Sequence, residues 1–265
     1  MSLSVTILGC GSSGGVPRIG NDWGHCDPKN SKNRRQRCSI LVKRSDDKGN
    51  ETIVLIDTSP DMRNQLNAAN VTRIDGVLYT HPHADHIHGI DDLRTIAINA
   101  GKRVDAWADT PTSDMLLKRF DYCVTTPKGS DYPPIIKLHP LQPGTPVVIS
   151  GPGGDIEFLP FLVNHGNINA LGFRVADLAY TPDLNGVPDQ SLPALEGLEY
   201  WIVDALRRTP HPSHFSFSDT LEWLQRIEPH KALITNMHID LDYKYVTDHS
   251  PANVTPCHDG LIINL

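Results

Sequence analysis

The apolar run Gly76–Thr80 (GVLYT) passes without a break into His81-Pro82-His83-Ala84-Asp85-His86. A short hydrophobic run of this kind reads as a buried strand, so the polar residues that follow fall on a loop at a strand end. Such loops are where α/β proteins place their chemistry. His81 and His83 are two apart and can converge on one ion while Pro82 stiffens the turn. Asp85 and His86 come just downstream, placed for a second ion beside the first. Imidazole and carboxylate are ligands that zinc, manganese and iron all accept. The alternative is a solvated turn that happens to be rich in histidine. Four potential ligands within six residues, directly after a buried strand, favour metal.

Composition sets the remaining bounds. The chain has 265 residues, with 24 basic and 31 acidic side chains and a formal charge of −7. At 39% hydrophobic and 21% charged residues it is not a disordered chain, and its length allows a sizeable core. Apolar runs such as Ile53–Ile56 are far shorter than the ~20 residues of a membrane span. The opening MSLSVTILGCGSSGG has no basic n-region and reads as a strand entering a glycine turn, so a cytoplasmic protein is expected. Five scattered cysteines, none in a CxxC pair, argue against a disulfide framework or a zinc ribbon. The acidic balance disfavours gripping nucleic acid by bulk charge, although bound metal ions can supply a local positive field. Histidine is the oddity: 13 residues, more than Phe, Tyr or Trp taken singly.

The hydrophobic pattern predicts strands at Ser4–Leu8, Ser39–Lys43, Thr52–Ile56, Gly76–Thr80, Val104–Trp107, Ile156–Val163, Leu171–Val175, Leu178–Tyr180, Tyr200–Asp204, Ala232–Thr235 and Leu261–Ile263. Helices are expected at Pro60–Ala69, Ile90–Ala100, Thr110–Phe120 and Ser218–Ile227, the last capped by Ser218. The polar segment Asp22–Arg37, Cys123–Pro134 and the proline-containing Pro182–Pro193 read as loops. With no fixed-period repeat and no low-complexity linker, residues 1–265 are expected to form one mixed α/β domain of layered sheets and helices.

The HxHxDH pattern of His81–His86 resembles the metallo-β-lactamase superfamily, and the likeness extends along nearly the whole chain. The resemblance implies a four-layer αββα sandwich with two divalent metal ions at one edge of the facing sheets. It also implies later ligands at strand ends, for which His165 (FLVNHG), Asp183 (AYTPD) and His238 (LITNMH) stand in the right order and context. Carried over residue by residue, it assigns His81, His83 and His165 to one ion and Asp85, His86 and His238 to the other. Asp183 bridges them.

Five further blocks, LGCGSSGGVPR, NRRQRCS, HADHIHGIDDLR, SHFSFSD and NMHIDLDY, resemble a cyclic-phosphodiesterase branch. That branch includes phosphoribosyl 1,2-cyclic phosphate phosphodiesterase and is related to the tRNA 3′-processing endonucleases. One departure stands out. Phosphonate-branch members carry a CxC-type pair in the loop after the glycine turn for an extra structural zinc, whereas this chain has His25-Cys26 and no second nearby cysteine. Cys26 is therefore read as a small buried residue.

The expected function is a dinuclear-metal hydrolase of phosphodiesters, acting on a small cyclic ribosyl phosphate or nucleotide. Two ions about 3.5–4 Å apart activate water for attack on phosphorus and take up charge on its oxygens. Asp85 would orient the nucleophile as well as bind metal. His214 matches the residue that related enzymes place beside the leaving group, as general acid or phosphate-orienting group. Its competitors are His211 and a purely structural helix-start histidine. Arg35, Arg37, Arg94 and Arg207 are candidate phosphate contacts. The turn Gly9–Gly15 lacks the Lys-Ser/Thr ending of a P-loop and is read chiefly as tight packing. Alternatives are an RNA-processing endonuclease, disfavoured by the acidic charge and the absence of a basic arm, a thioester or lactone hydrolase, and, last, a non-catalytic metal-binding protein. No membrane partner and no stable nucleic-acid complex are expected. Dimers are common in related enzymes, so a homodimer is the state the resemblance allows.

Overall fold

In the computed structural model, which describes residues 2–265, fourteen strands form two seven-stranded sheets. β1 (Ser2–Gly9), β2 (Ser39–Ser45), β3 (Glu51–Ile56), β4 (Gly76–Leu78), β5 (Val104–Ala108) and β6 (Ile136–Pro140) build the first. The second consists of β7 (Val147–Ile149), β8 (Ile156–His165), β9 (Ile168–Val175), β10 (Leu178–Thr181), β11 (Tyr200–Asp204), β12 (Lys231–Thr235) and β13 (Val254–Pro256). The chain then returns to pair β14 (Ile262–Asn264) antiparallel with β1.

Each sheet starts with antiparallel hairpins and continues with parallel strands. β3 to β6 run parallel in one sheet and β10 to β13 in the other. Parallel neighbours need crossover connections, and helices supply several of them. α1 (Met62–Ala68) precedes β4. α2 (Ala84–Ile87) and α3 (Leu93–Ala100) precede β5, and α4 (Thr110–Val124) precedes β6. α5 (Phe217–Ile227) and α6 (Tyr243–His249) do the same for β12 and β13.

The two-residue period of the strands sorts the core into layers. In β2 and β3, Ile40, Val42, Val54 and Ile56 face the second sheet and join Phe158, Phe173 and Trp201 there. The intervening Leu41, Ile53 and Leu55 face outward onto Met62, Leu66, Leu93, Ile96 and Leu116 of α1, α3 and α4. Both faces are covered, giving the helix–sheet–sheet–helix order expected from the sequence. Every parallel strand therefore points its carboxyl end at the same edge of the sandwich, and the loops from both sheets meet there.

Several expectations are corrected. α4 runs to Val124 across a kink at Phe120, Ala84–Ile87 is the short helix α2 and not part of the expected loop, and β6, β7, β13 and α6 were not anticipated. Of these, β6, β7 and β13 contain or adjoin Pro133, Pro134, Pro140, Pro146 and Pro256, residues that read as loop. α5 is capped by Ser216 rather than Ser218: the Ser216 hydroxyl accepts from the Asp219 amide and the Asp219 carboxylate accepts from the Ser216 amide, a reciprocal capping box. The glycine turn is a packing device, as expected. A Cβ on Gly9 would stand 2.1 Å from the Arg37 carbonyl oxygen.

Candidate metal centre

Four strand ends deliver the histidine-rich cluster. The chain leaves β4 through Thr80, so that His81 and His83 lie in the loop and Asp85 and His86 on α2. His165 is the last residue of β8, and Asp183 lies two residues beyond β10. His238 follows β12.

Two ligand groups result. His81, His83, His165 and Asp183 offer atoms that lie within 4.8 Å of one another, as do Asp85, His86 and Asp183. Asp183 belongs to both. Its Oδ2 stands 3.6 Å from His81 Nε2 and 3.7 Å from His165 Nε2, and its Oδ1 stands 3.4 Å from His86 Nε2. His81 Nε2 and His165 Nε2 approach His83 Nδ1 to 3.0 and 3.1 Å.

The far side of each ring fixes which nitrogen carries a lone pair inward. Thr80 Oγ1 donates to Asp57 Oδ2 at 2.7 Å, so at 2.9 Å from His81 Nδ1 it is left to accept. His165 Nδ1 donates to the Ser213 carbonyl at 2.7 Å, and His86 Nδ1 donates to Asp57 Oδ2 at 2.7 Å. Three Nε2 lone pairs therefore converge on a buried carboxylate. His86 Nε2 and Asp183 Oδ1 are buried with no hydrogen-bond partner at all. Orphaned acceptors inside a protein are costly. Cations facing them remove that cost, and the imidazole–carboxylate donor set suits a divalent ion such as zinc. The residues fit metal.

Electrostatics agree. Burial pushes His81, His83 and His165 below the ordinary imidazole range, keeping them in the neutral, ligand-competent form. His86 is the exception: burial acts in the same sense, but Asp183, Asp85 and Asp57 outweigh it and raise it well above the usual value, so its Nε2 would release a proton to take an ion. Asp183, despite its burial, is held ionised by His86 and the neighbouring histidines.

Beside the cluster lies a cavity of about 230 Å³ lined by His83, Asp85, Asp183, His214, His238 and neighbouring side chains. His214 stacks edge-on against His165, ring centroids 4.7 Å apart. Its Nδ1 donates to Asp204 Oδ2 at 2.8 Å, which leaves Nε2 for the cavity. Asp204 is fully buried and also receives the Asn236 side-chain amide and the Leu184 backbone N–H. Burial raises Asp204 to about 7; burial also opposes charge on His214, but Asp204 overrides it and lifts His214 to about 9. His211 lines the same cavity, its ring 5.1 Å from that of His214.

His238 differs from expectation. It lines the cavity, but its Nε2 is in close contact with the Arg18 guanidinium and its Nδ1 faces Asp240, so it stands apart from the Asp85–His86–Asp183 group. The arginines need more correction. Arg35 is buried, donating to the Leu241 carbonyl and Asn33 Oδ1, and braces the loop rather than facing substrate. Arg37 pairs with Asp61 at 2.9 Å. Arg94 pairs with Asp91 at 2.8 Å and lines a separate cleft with Ile98 and Tyr132. Arg207 does line the cavity, but it donates to the Thr209 and Pro210 carbonyls of its own loop. Cys26 is buried against Arg35, and among the described residues it joins no ligand group.

Asp57, Asp204, Asn236, Ser12 and Arg18 escaped the sequence reading. Asp57 and Asn236 carried a usable signal, since each directly follows an apolar strand. Both take left-handed backbone angles, φ +66° and +59°, the conformation that Asp and Asn tolerate best among non-glycine residues.

Comparison with known proteins agrees with this architecture. The family described as "Beta-lactamase superfamily domain" matches residues 52–239. A crystal structure of a diphosphatase from the PhnP family is 32% identical, covers 100% of this chain and 98% of its own, and superposes with a TM-score of 0.88. Zn²⁺-bound PqqB from Methylobacterium extorquens shares the fold at 19% identity and TM-score 0.72, over 99% of this chain and 100% of its own. An octanoyltransferase of Porphyromonas gingivalis is 29% identical over 259 residues, 96% of this chain; the chain spans only 50% of that protein's length. Among the described residues no helix is long and apolar enough to cross a membrane. The chain belongs to the metallo-β-lactamase superfamily.

Proposed function

We propose that the chain hydrolyses phosphoesters of small molecules, with a nucleotide or cyclic ribosyl phosphate as the substrate class, using two divalent ions. The observation that carries this reading is the His214–Asp204 pair, set against the ligand His165 and opening on the same cavity as Asp85 and Asp183. A phosphoester leaves as an alkoxide that needs a proton, and a histidine held protonated beside the ligand cluster meets that need. The diphosphatase among its structural relatives supports a phosphoryl substrate.

His81, His83, His165 and Asp183 would hold one ion, and Asp85, His86 and Asp183 the other, with His238 joining when Arg18 leaves its Nε2. The ions supply Lewis acidity to the phosphoryl oxygens and to the nucleophilic water. The chain's own groups do the rest. Asp57 and the Ser213 carbonyl fix the orientation of two ligand rings, and Asp85 sits where it can accept a proton from water. Asp204 holds the His214 ring by Nδ1, so that Nε2 keeps the proton it delivers to the leaving oxygen.

Turnover of bis(p-nitrophenyl) phosphate and of a panel of cyclic nucleotides by the zinc- or manganese-loaded protein tests the reading. Hydrolysis abolished by His214→Ala on cyclic nucleotides, and much less so on the activated ester, is the expected result. Absence of turnover on every phosphoester under both metals overturns it. A second reading is hydrolysis of acyl thioesters by the same centre, with the octanoyltransferase relative its only support and the matched half of that protein not assigned to acyl transfer. Release of free thiol from an octanoyl thioester, with no phosphoester turnover, would select it.

A further inference from the structure

Two groups on the glycine-rich loop after β1 play no part in the chemistry described so far. Ser12 is only 2% exposed, lines the cavity, and its hydroxyl has no hydrogen-bond partner. Arg18 lines the same cavity with a guanidinium whose side-chain contact is the ring of His238, not a carboxylate. A buried hydroxyl without a partner is a donor awaiting an acceptor. A guanidinium at the mouth of a cavity is a fork shaped for phosphate or carboxylate.

The loop is built to hold these groups still. Ser12 is fixed by its amide on the Met237 carbonyl and by its own carbonyl, which accepts from the Gly15 amide at 2.7 Å. Val16 and Arg35 exchange both backbone hydrogen bonds at 2.9 Å, and Arg18 exchanges both with Asp22. The Arg18 side chain then runs across Gly14, where a Cβ would sit 3.0 Å from Nε and 3.2 Å from Cγ. Glycine at that position leaves the path open. The His238 Nε2 lone pair can serve a metal ion or the guanidinium, not both. With that Nε2 given to an ion, the guanidinium of Arg18 would be left to face the cavity it lines.

We propose that Ser12 and Arg18 form an anion subsite for a second charged group of the substrate, a phosphate or carboxylate distinct from the phosphorus that reacts. The chain would thereby select doubly anionic substrates over simple diesters. This rests on the phosphoester reading above and adds to it a recognition element.

The test uses two chromogenic esters with the same reacting bond, thymidine 5′-(p-nitrophenyl phosphate) and its 3′-phosphorylated counterpart, with the metal-loaded protein. The wild type prefers the doubly charged ester in kcat/KM by about tenfold or more, chiefly through KM. Arg18→Ala removes that preference, Arg18→Lys keeps part of it, and Ser12→Ala weakens it. No preference in the wild type, or equal losses on both esters in Arg18→Ala, overturns the subsite. If neither ester is hydrolysed, calorimetric binding of thymidine 3′,5′-diphosphate decides the subsite by itself, and the phosphoester reading is judged on the cyclic nucleotides. Binding weakened about tenfold by Arg18→Ala sustains it, and binding indifferent to Arg18 removes it.

Discussion

Asp57 Oδ2 and His86 Nδ1 lie 2.7 Å apart, both side chains wholly buried, Asp57 directly after β3 and His86 on α2, which follows the adjacent parallel strand β4. The same carboxylate accepts from the Thr80 hydroxyl and amide, so one residue orients His86 directly and His81 through Thr80. Asp57 itself bonds no ligand atom that faces the cluster. It acts by fixing which nitrogen of each ring points inward.

Asp57→Ala should therefore weaken metal binding without removing a ligand. Partners of this kind are worth about 10–100-fold in metal affinity. Competition against a chromophoric chelator reads the change, and circular dichroism checks that the fold persists. An affinity equal to the wild type's would reduce Asp57 to a structural carboxylate.

Metal should also stabilise the fold. Asp183 Oδ1 is a buried acceptor without a hydrogen-bond partner, and its carboxylate is hemmed in by His81, His86 and His165, so the apoprotein bears a desolvation cost that an ion cancels. A ligand that binds only the native state at 100 times its Kd adds about 2.7 kcal/mol. Zinc should raise Tm by several degrees and EDTA should reverse the rise. Asp183→Asn, which removes the shared carboxylate, should abolish most of the response. A Tm unmoved by zinc in the wild type would count against the site.

Much of this centre was legible because its residues sit at strand ends and strands are the clearest feature of the sequence. His81, His83, Asp85 and His86 follow β4, and His165 and Asp183 end or follow predicted strands. Legibility ended where placement depends on side-chain direction. Arg35 and Arg207 have the same guanidinium suited to phosphate, yet one is buried under the loop and the other folds onto its own carbonyls. Nothing in composition separates an arginine that faces a cavity from one that braces a turn. Asp204 was hidden differently: it reads as the last residue of strand YWIVD, and only the path of the 206–216 loop brings His214 back to it. The short edge strands β7 and β13 were hidden by the prolines beside them, Pro146 and Pro256, which read as loop.

The pH dependence of turnover should bear the mark of Asp204. A histidine whose pKa is raised stays protonated through neutrality and loses its proton as pH rises through about 9, so a general-acid role for His214 predicts a descending alkaline limb. Asp204→Asn removes the charge that raises it, and the limb should move down toward the ordinary imidazole value of about 6.5. The shift should appear on substrates with poor leaving groups and fade on p-nitrophenyl esters, whose departure needs little protonation. A limb unmoved by Asp204→Asn would assign the alkaline loss to another group.

Arg35 and Arg18 come from one neighbourhood and should behave oppositely. Arg35, 2% exposed, donates to the Leu241 carbonyl from Nη1 and to Asn33 Oδ1 from Nη2, while Asn33 Nδ2 reaches Asp242, the cap of α6. The guanidinium thus ties the loop before β2 to the segment between His238 and α6. Arg35→Ala leaves a cavity and strips the Leu241 carbonyl of its guanidinium donor, while Asn33 Oδ1 keeps only the Tyr243 amide, a loss of about 2–4 kcal/mol in stability. Chemical denaturation should show that loss with no selective change in KM toward doubly charged substrates. A selective rise in KM at native stability would return Arg35 to the substrate and contradict its place beneath the loop.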